Sequence, residues 1–359
     1  MIRYSDILKQ KKIPIFAPSG KVYYKDKTIL VTGGGGSVGS ELVRHLVSLS
    51  PKTVIIFDIY ENNAFELCNE LCCEYTNTDI RIEIGSVCDT RRLCAVFSKY
   101  KPDIVFHAAA HKHVSLMEEN CAEAVKNNCI GTVNTAELAE KYHAEKFVLV
   151  STDKAVRPTG VMGASKRICE MLVLPRKSDV TKFCAVRFGN VFASHASVVP
   201  IFEKQILSGK DVTITDKRMT RYFISLDDAA QLLLCAGAMA NSGELFVLDM
   251  GEPVKIYDIA EKMIRHYGKE PGKDIKIVET GLRPGEKLFE EYLLSDADKY
   301  LKTANDMIYI EKDTDTTSDD AARIESMLRL TLNDPICETD GSIIKRVLSQ
   351  IIPAYTPKY

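Results

Sequence analysis

A glycine turn between two patterned segments constrains this chain more than any other feature. It reads Thr32-Gly33-Gly34-Gly35-Gly36-Ser37-Val38-Gly39 and follows directly on the apolar run Thr28–Thr32. Gly33, Gly36 and Gly39 have the T-G-x-x-G-x-x-G spacing. A turn without Cβ atoms lets a pyrophosphate approach the N-terminus of the next helix, whose free N–H groups attract anions. Asp58 closes the second apolar run 19 residues after Gly39. A carboxylate there accepts the 2′-hydroxyl of an adenosine ribose. It also repels a 2′-phosphate, and Ile59-Tyr60-Glu61 supplies no arginine, so the pattern points to NAD over NADP.

The first two-thirds of the chain repeats this strand–helix rhythm. Strands are expected at Thr28–Thr32, Thr53–Asp58, Ile80–Ile84, Asp103–His107, Lys146–Ser151 and Phe183–Phe188, with helices starting near Ser37, Glu61, Thr90, Cys121 and Thr159. Strands that are apolar throughout belong to a parallel sheet covered on both faces. The expected fold is therefore α/β, a Rossmann-type doubly wound parallel sheet with a smaller C-terminal mixed α/β substrate domain. Short strands at Val212–Thr215 and Leu245–Leu248 and a helix at Ile256–Tyr267 mark the change. The expected division is an N-terminal extension 1–26, a nucleotide-binding domain 27–190 to which 226–250 returns, a substrate domain 191–310, and a linker and C-terminal segment 311–359. The acidic run Glu311–Asp320 reads as a solvated linker.

Composition narrows the function classes. The 359 residues carry 47 Lys+Arg and 49 Asp+Glu, a formal charge of −2, so nothing favours nucleic acid or an anionic membrane surface. No apolar run approaches the ~18 residues of a membrane span, and the N-terminus lacks the apolar core of an export signal. Eleven cysteines without a C-x-x-C pair read as reduced thiols of a cytoplasmic protein. His107, His111 and His113 leave the fourth strand without a companion glutamate motif, so they are expected to line a pocket and no metal is expected.

Several segments now point to one family. The T-G-x-x-G-x-x-G turn, the fourth strand running into Ala108 and Ala109, Asn128 in NNCIGT, and Ser151-Thr152-Asp153-Lys154 resemble the extended short-chain dehydrogenase/reductase superfamily. AAAHKHVSLME, VSTDKAVRPTGVMGASKR, RFGNVFAS, MTRYF, FVLDMGEPVKI and GLRPGEKLFEE resemble its nucleotide-sugar 4,6-dehydratases of bacterial polysaccharide biosynthesis. Together they cover most of residues 27–295. The superfamily's catalytic Y-x-x-x-K reads Met162-Gly163-Ala164-Ser165-Lys166 here. A thioether has no exchangeable proton, but methionine at this position marks the UDP-N-acetylglucosamine 4,6-dehydratase subgroup, whose long members carry a transmembrane region. With only residues 1–26 before the glycine domain, this chain is expected to be a soluble short form.

The resemblance implies a lyase with tightly bound NAD that is recycled in each turnover. Hydride leaves sugar C4, a base takes the C5 proton, an acid helps the C6 hydroxyl depart, and hydride returns to C6. By resemblance Lys154 is the base, Asp153 the acid, Lys166 the ribose ligand, and Thr152 or Asp153 the acceptor of the C4 hydroxyl proton in place of tyrosine. Gly33, Gly36, Ser37, Val38, Gly39, Asp58, Ser86, Val87, Ala108 and Ala109 are the cofactor candidates. Lys112, Glu118, Asn128, Asn190, Arg221 and Arg283 are the substrate candidates, the arginines because guanidinium pairs bidentately with phosphate. Two departures stand out. Gly85-Ser86-Val87 lacks the usual aspartate for adenine, and Ala193-Ser194-His195-Ala196-Ser197 lacks the usual arginine. The expected substrate is UDP-N-acetylglucosamine and the expected assembly a homo-oligomer. A 5-epimerase or dehydratase–epimerase, and a non-catalytic nucleotide-sugar-binding protein, are the alternatives.

Overall fold

In a computed structural model, the structure describes residues 3–8, 22–291, 293–294, 296–312 and 316–356. The expected extension 1–26 and the acidic run Glu311–Asp320 thus lie partly outside the described residues. Six parallel strands form the centre: β1 (Thr28–Thr32), β2 (Thr53–Asp58), β3 (Asp79–Ile84), β4 (Ile104–His107), β5 (Lys146–Val150) and β6 (Lys182–Arg187). β7 (Glu244–Leu248) adds in parallel beside β6, and β8 (Tyr300–Lys302) and β9 (Ile308–Glu311) close that edge antiparallel. The order is β8-β9-β7-β6-β5-β4-β1-β2-β3. Chain direction across the sheet reverses between β1 and β4, and the carboxyl ends of strands at such a point are where doubly wound sheets leave a ligand crevice.

The helices cover both faces, as the apolar strands require. Leu42, Val43 and Leu46 of α1 (Ser37–Val47) and Leu67 and Leu71 of α2 (Glu61–Cys72) pack on one face. Phe97 of α3 (Thr90–Tyr100), Val133 of α4 (Gly131–Lys141) and Ile168 and Leu172 of α5 (Val161–Val173) pack on the other. β3 departs from the apolar pattern. It is the free edge of the sheet, so Asp79, Arg81 and Ile84 stay exposed. A separate core joins Phe202 and Ile206 of α6 (Val198–Leu207), Val212 and Ile214, and Ile259 and Met263 of α8 (Ile256–His266), while α7 (Leu226–Met239) returns to the large sheet.

The linker expectation needs correction. Glu311 is the last residue of β9, and Arg187 of β6 donates to its carboxylate at 2.5 Å and to both oxygens of Glu170 at 2.7 and 2.6 Å. A buried guanidinium requires such partners, and this one draws the segment into the sheet. Thr317 and Asp320 then form a reciprocal capping box that starts α9 (Ser318–Leu332). Ile324 and Leu328 of α9 and Ile344 and Leu348 of α10 (Gly341–Ile351) bury against the core that includes α5. No helix among the described residues is long and apolar enough to cross a membrane.

Candidate active site

The glycine turn is closed as tightly as its spacing requires. Gly33 has φ +68°, and a Cβ there would lie 2.7 Å from the Ala109 nitrogen. A Cβ on Gly39 would lie 2.1 Å from the Gly33 oxygen, and Gly36 donates to that same oxygen at 3.0 Å. The result is a concave backbone cradle at the start of α1, with Gly36 at the cap position and Ser37 and Val38 in the first turn. Asp58 stands beside it. One carboxylate oxygen accepts from the Gly35 N–H at 2.8 Å and the other from the Tyr60 N–H at 2.9 Å. Ala108 donates to Thr32 at 3.0 Å, which holds the end of β4 beside the turn. Val87 is buried and receives the Asn134 amide on its carbonyl, while the Ser86 hydroxyl accepts from the Cys88 N–H.

A second group sits where β5 ends. Asp153 is 1% exposed. Its Oδ1 accepts from the Thr152 hydroxyl at 2.9 Å and from the Lys154 ammonium at 2.9 Å, whereas its Oδ2 is buried with no hydrogen-bond partner. Lys154 also donates to Asn190 Oδ1 at 2.8 Å. Met162 is buried in the first turn of α5, and Lys166 follows one turn later, 5% exposed and without a hydrogen bond or ion pair among the described residues. An almost buried ammonium with no partner is costly unless a ligand supplies one.

For His107 the pocket-lining expectation is corrected. His107 is wholly buried between Thr32 at 2.8 Å and Thr132 at 2.9 Å, so it lines no pocket. Burial, aided by the charge of Lys166, pushes its pKa down to about 3, and the ring stays neutral. His111 turns to Glu123 at 3.4 Å.

Among the substrate candidates, Lys112 reaches the 193–197 loop, donating to Ser194 Oγ at 3.3 Å and to the His195 carbonyl at 2.9 Å. His195 in turn meets Ser37 Oγ through its ring at 2.8 Å and its N–H at 2.9 Å, so this loop crosses to the cradle. Three candidates are already bonded within the chain. Asn128 is fully buried, and its amide is used by both backbone groups of His111 and by Ser165. Glu118 accepts from the Val161 N–H at 2.5 Å and pairs with Lys345 of α10 at 3.0 Å, which anchors the start of α5. Arg221 spends its guanidinium on the carbonyls of Thr220, Lys287 and Leu288. Each is a polar side chain that needs partners when enclosed, and nearby backbone and side chains supply them. Arg283 is exposed.

Glu290 was absent from the candidate set although its segment, GLRPGEKLFEE, carried part of the resemblance. Its side chain is 3% exposed, 3.7 Å from the Lys154 ammonium and 3.6 Å from Arg221. Glu290 directly follows the exposed Phe289, and spacing alone does not reveal its burial or its neighbours.

The sequence profile of the family described as "Polysaccharide biosynthesis protein" matches residues 29–313. The chain belongs to this family. It is 47% identical over 304 residues to the "Capsular polysaccharide biosynthesis protein CapD" of Staphylococcus aureus, covering 79% of this chain and 50% of that protein. The chain thus spans about half the length of that curated relative. It is 34% identical to a "UDP-N-acetylglucosamine 4,6-dehydratase (inverting)" of Campylobacter jejuni, covering 81% of this chain and 87% of the other. The X-ray structure of Pen from Bacillus thuringiensis superposes with a TM-score of 0.73 at 35% identity, over 82% of this chain and 90% of that one.

Proposed function

We propose that this chain is an NAD-dependent nucleotide-sugar 4,6-dehydratase, a lyase that removes water from UDP-N-acetylglucosamine for polysaccharide biosynthesis. The observation that carries the reading is the contact of Asp153 with Lys154 at 2.9 Å at the carboxyl end of β5, with Met162 where the superfamily places tyrosine. The cradle fits the cofactor. A Cβ at Gly33 or Gly39 would strike backbone and force the turn open, Asp58 stands beside the turn as a ribose-binding carboxylate would, and Lys166 lacks a partner among the described residues. NAD bound there supplies the hydride acceptor for sugar C4 and the hydride returned to C6.

The chain's own groups account for the protons. The Thr152 hydroxyl donates to Asp153 and accepts from the Lys154 N–H at 3.4 Å, which leaves its oxygen one lone pair for the C4 hydroxyl. A proton entering at Thr152 thereby arrives on Asp153, which becomes the acid for the departing C6 hydroxyl. Lys154, once neutral, takes the C5 proton and returns one to C5 after water has left. The pair ends each cycle in its starting state. Lys166 holds its charge near the C4 oxygen and orients the ribose. The adjacent Asn190 keeps Lys154 aimed.

Mass spectrometry of UDP-N-acetylglucosamine incubated with the protein in deuterated water tests this. Loss of one water with one deuterium at C5 is the expected outcome, and proton NMR then reads the C5 configuration. Exchange at C5 without water loss points to a 5-epimerase, and an unchanged sugar points to a binding protein.

A further inference from the structure

We infer that Glu290 is a positioning residue for Asp153 and Lys154, the buried carboxylate that holds Lys154 and Arg221 together. The inference deepens the reading above and rests on it. Lys154 has three N–H donors. Two are spent on Asp153 at 2.9 Å and Asn190 at 2.8 Å, and the third side of the ammonium faces Glu290 at 3.7 Å. Glu290 Oε1 serves Lys154 and Arg221 together, while its Oε2 is buried with no hydrogen-bond partner. Asp153 Oδ2 is orphaned in the same way. Two acids and two cations are therefore gathered into one cluster in which only Lys154 keeps appreciable exposure, and each charge acts on the others.

The loop bearing Glu290 is fastened to both ends of the cluster. Phe289 bridges to Thr220, Lys287 donates to the Val156 carbonyl at 2.9 Å, and Thr159 donates to the Gly285 carbonyl at 3.0 Å. Arg221 clamps the same loop through the Lys287 and Leu288 carbonyls. Among the neighbouring charges, Glu291 meets Arg157 at 3.6 Å and Lys287 at 3.5 Å, and the Arg283 backbone N–H donates to Glu286. The charges facing Lys154 are thus Asp153 from its own loop and Glu290 from the opposite one, with Arg221 behind Glu290. Glu290 stabilises the ammonium that forms when Lys154 takes the C5 proton.

Glu290→Gln keeps the shape and removes the charge. The acid limb of the pH–rate profile for C5 deuterium exchange should move to lower pH, the direction expected when an opposite charge is removed from beside an ammonium. A limb that stays in place, whatever the rate, overturns the inference, because a purely structural role changes the height of the profile and leaves its position. The second measurement needs no turnover. Trace acetylation of Lys154, followed by mass spectrometry against pH in the full chain, should begin at correspondingly lower pH in Glu290→Gln than in wild type. An unshifted onset overturns the inference. A wild type that leaves UDP-N-acetylglucosamine unchanged sinks the dehydratase reading alone, and the acetylation onset still decides the role of Glu290. Should Glu290→Gln fail to fold, Glu290→Asp withdraws the carboxylate by one methylene and should shift the onset less but in the same direction. No shift there overturns the inference too.

Discussion

Replacing Gly39 with alanine sets two effects of opposite sign against each other. Gly39 lies inside α1, and in an ordinary helix interior the change to alanine stabilises by about 1 kcal/mol. Here the new Cβ would stand 2.1 Å from the Gly33 oxygen, 2.8 Å from the Gly33 carbonyl carbon and 2.9 Å from the Gly34 Cα. Non-bonded carbons settle at about 3.5–4 Å, so helix and turn must part by roughly 1 Å. All three obstacles are backbone, and no side chain can swing away to relieve them. Overpacking of this kind costs about 1–3 kcal/mol, and more where backbone must move. The steric term therefore wins, and Gly39→Ala should lose about 1–2 kcal/mol in urea denaturation. The same displacement pulls the amides of α1 away from an anion in the cradle. NAD affinity by titration calorimetry should fall at least tenfold, about 1.4 kcal/mol. A variant as stable as wild type, or one that binds NAD within twofold, refutes the reasoning about the turn.

Asp58→Ala should weaken NAD binding and leave NADP binding equal or improved, since the carboxylate that repels a 2′-phosphate is gone; equal loss of both cofactors in calorimetry would make Asp58 structural. Lys154→Met removes the proposed base, so UDP-N-acetylglucosamine should still bind while C5 exchange and water loss fall by about 10²–10⁴-fold. Near-normal turnover there would end the proposed mechanism, and Met162→Leu, which keeps an apolar side chain, should cost far less. His107 gives a pH signature. Burial lowers its pKa from 6.5 to about 3 in the folded chain, so below 6.5 the unfolded chain binds the extra proton. Its contribution to stability is present above pH 6.5 and is lost as pH falls toward 3, in total about 4–5 kcal/mol. Urea midpoints measured across that window should fall more steeply for wild type than for His107→Gln, and parallel curves would count against a neutral buried ring.

Much of the fold was legible because its determinants are local. Continuous apolar runs mark strands buried on both faces, and the central strands appear within one residue of the expected bounds at Thr28–Thr32 and Thr53–Asp58. The site was legible in part. Thr152, Asp153 and Lys154 sit together at a strand end, and Asn190 joins them, since the end of β6 lies beside the end of β5. Asn128, Glu118 and Arg221 carry the right chemistry for a ligand, but their hydrogen bonds go to backbone and to Lys345. Residue type says what a side chain can bond, and only its surroundings say what it does bond.

From the sequence alone came the parallel sheet, the glycine cradle and the pairing of Asp153 with Lys154, because each depends on neighbours within a strand, a turn or a single loop. Tertiary structure decided the rest. It placed Glu290 against Lys154, Glu311 against Arg187 and Lys345 against Glu118, pairs more than a hundred residues apart in the chain. A buried charge takes whichever opposite charge the packing brings within reach, and that choice follows from how strands and helices stack, which no local pattern of residues contains.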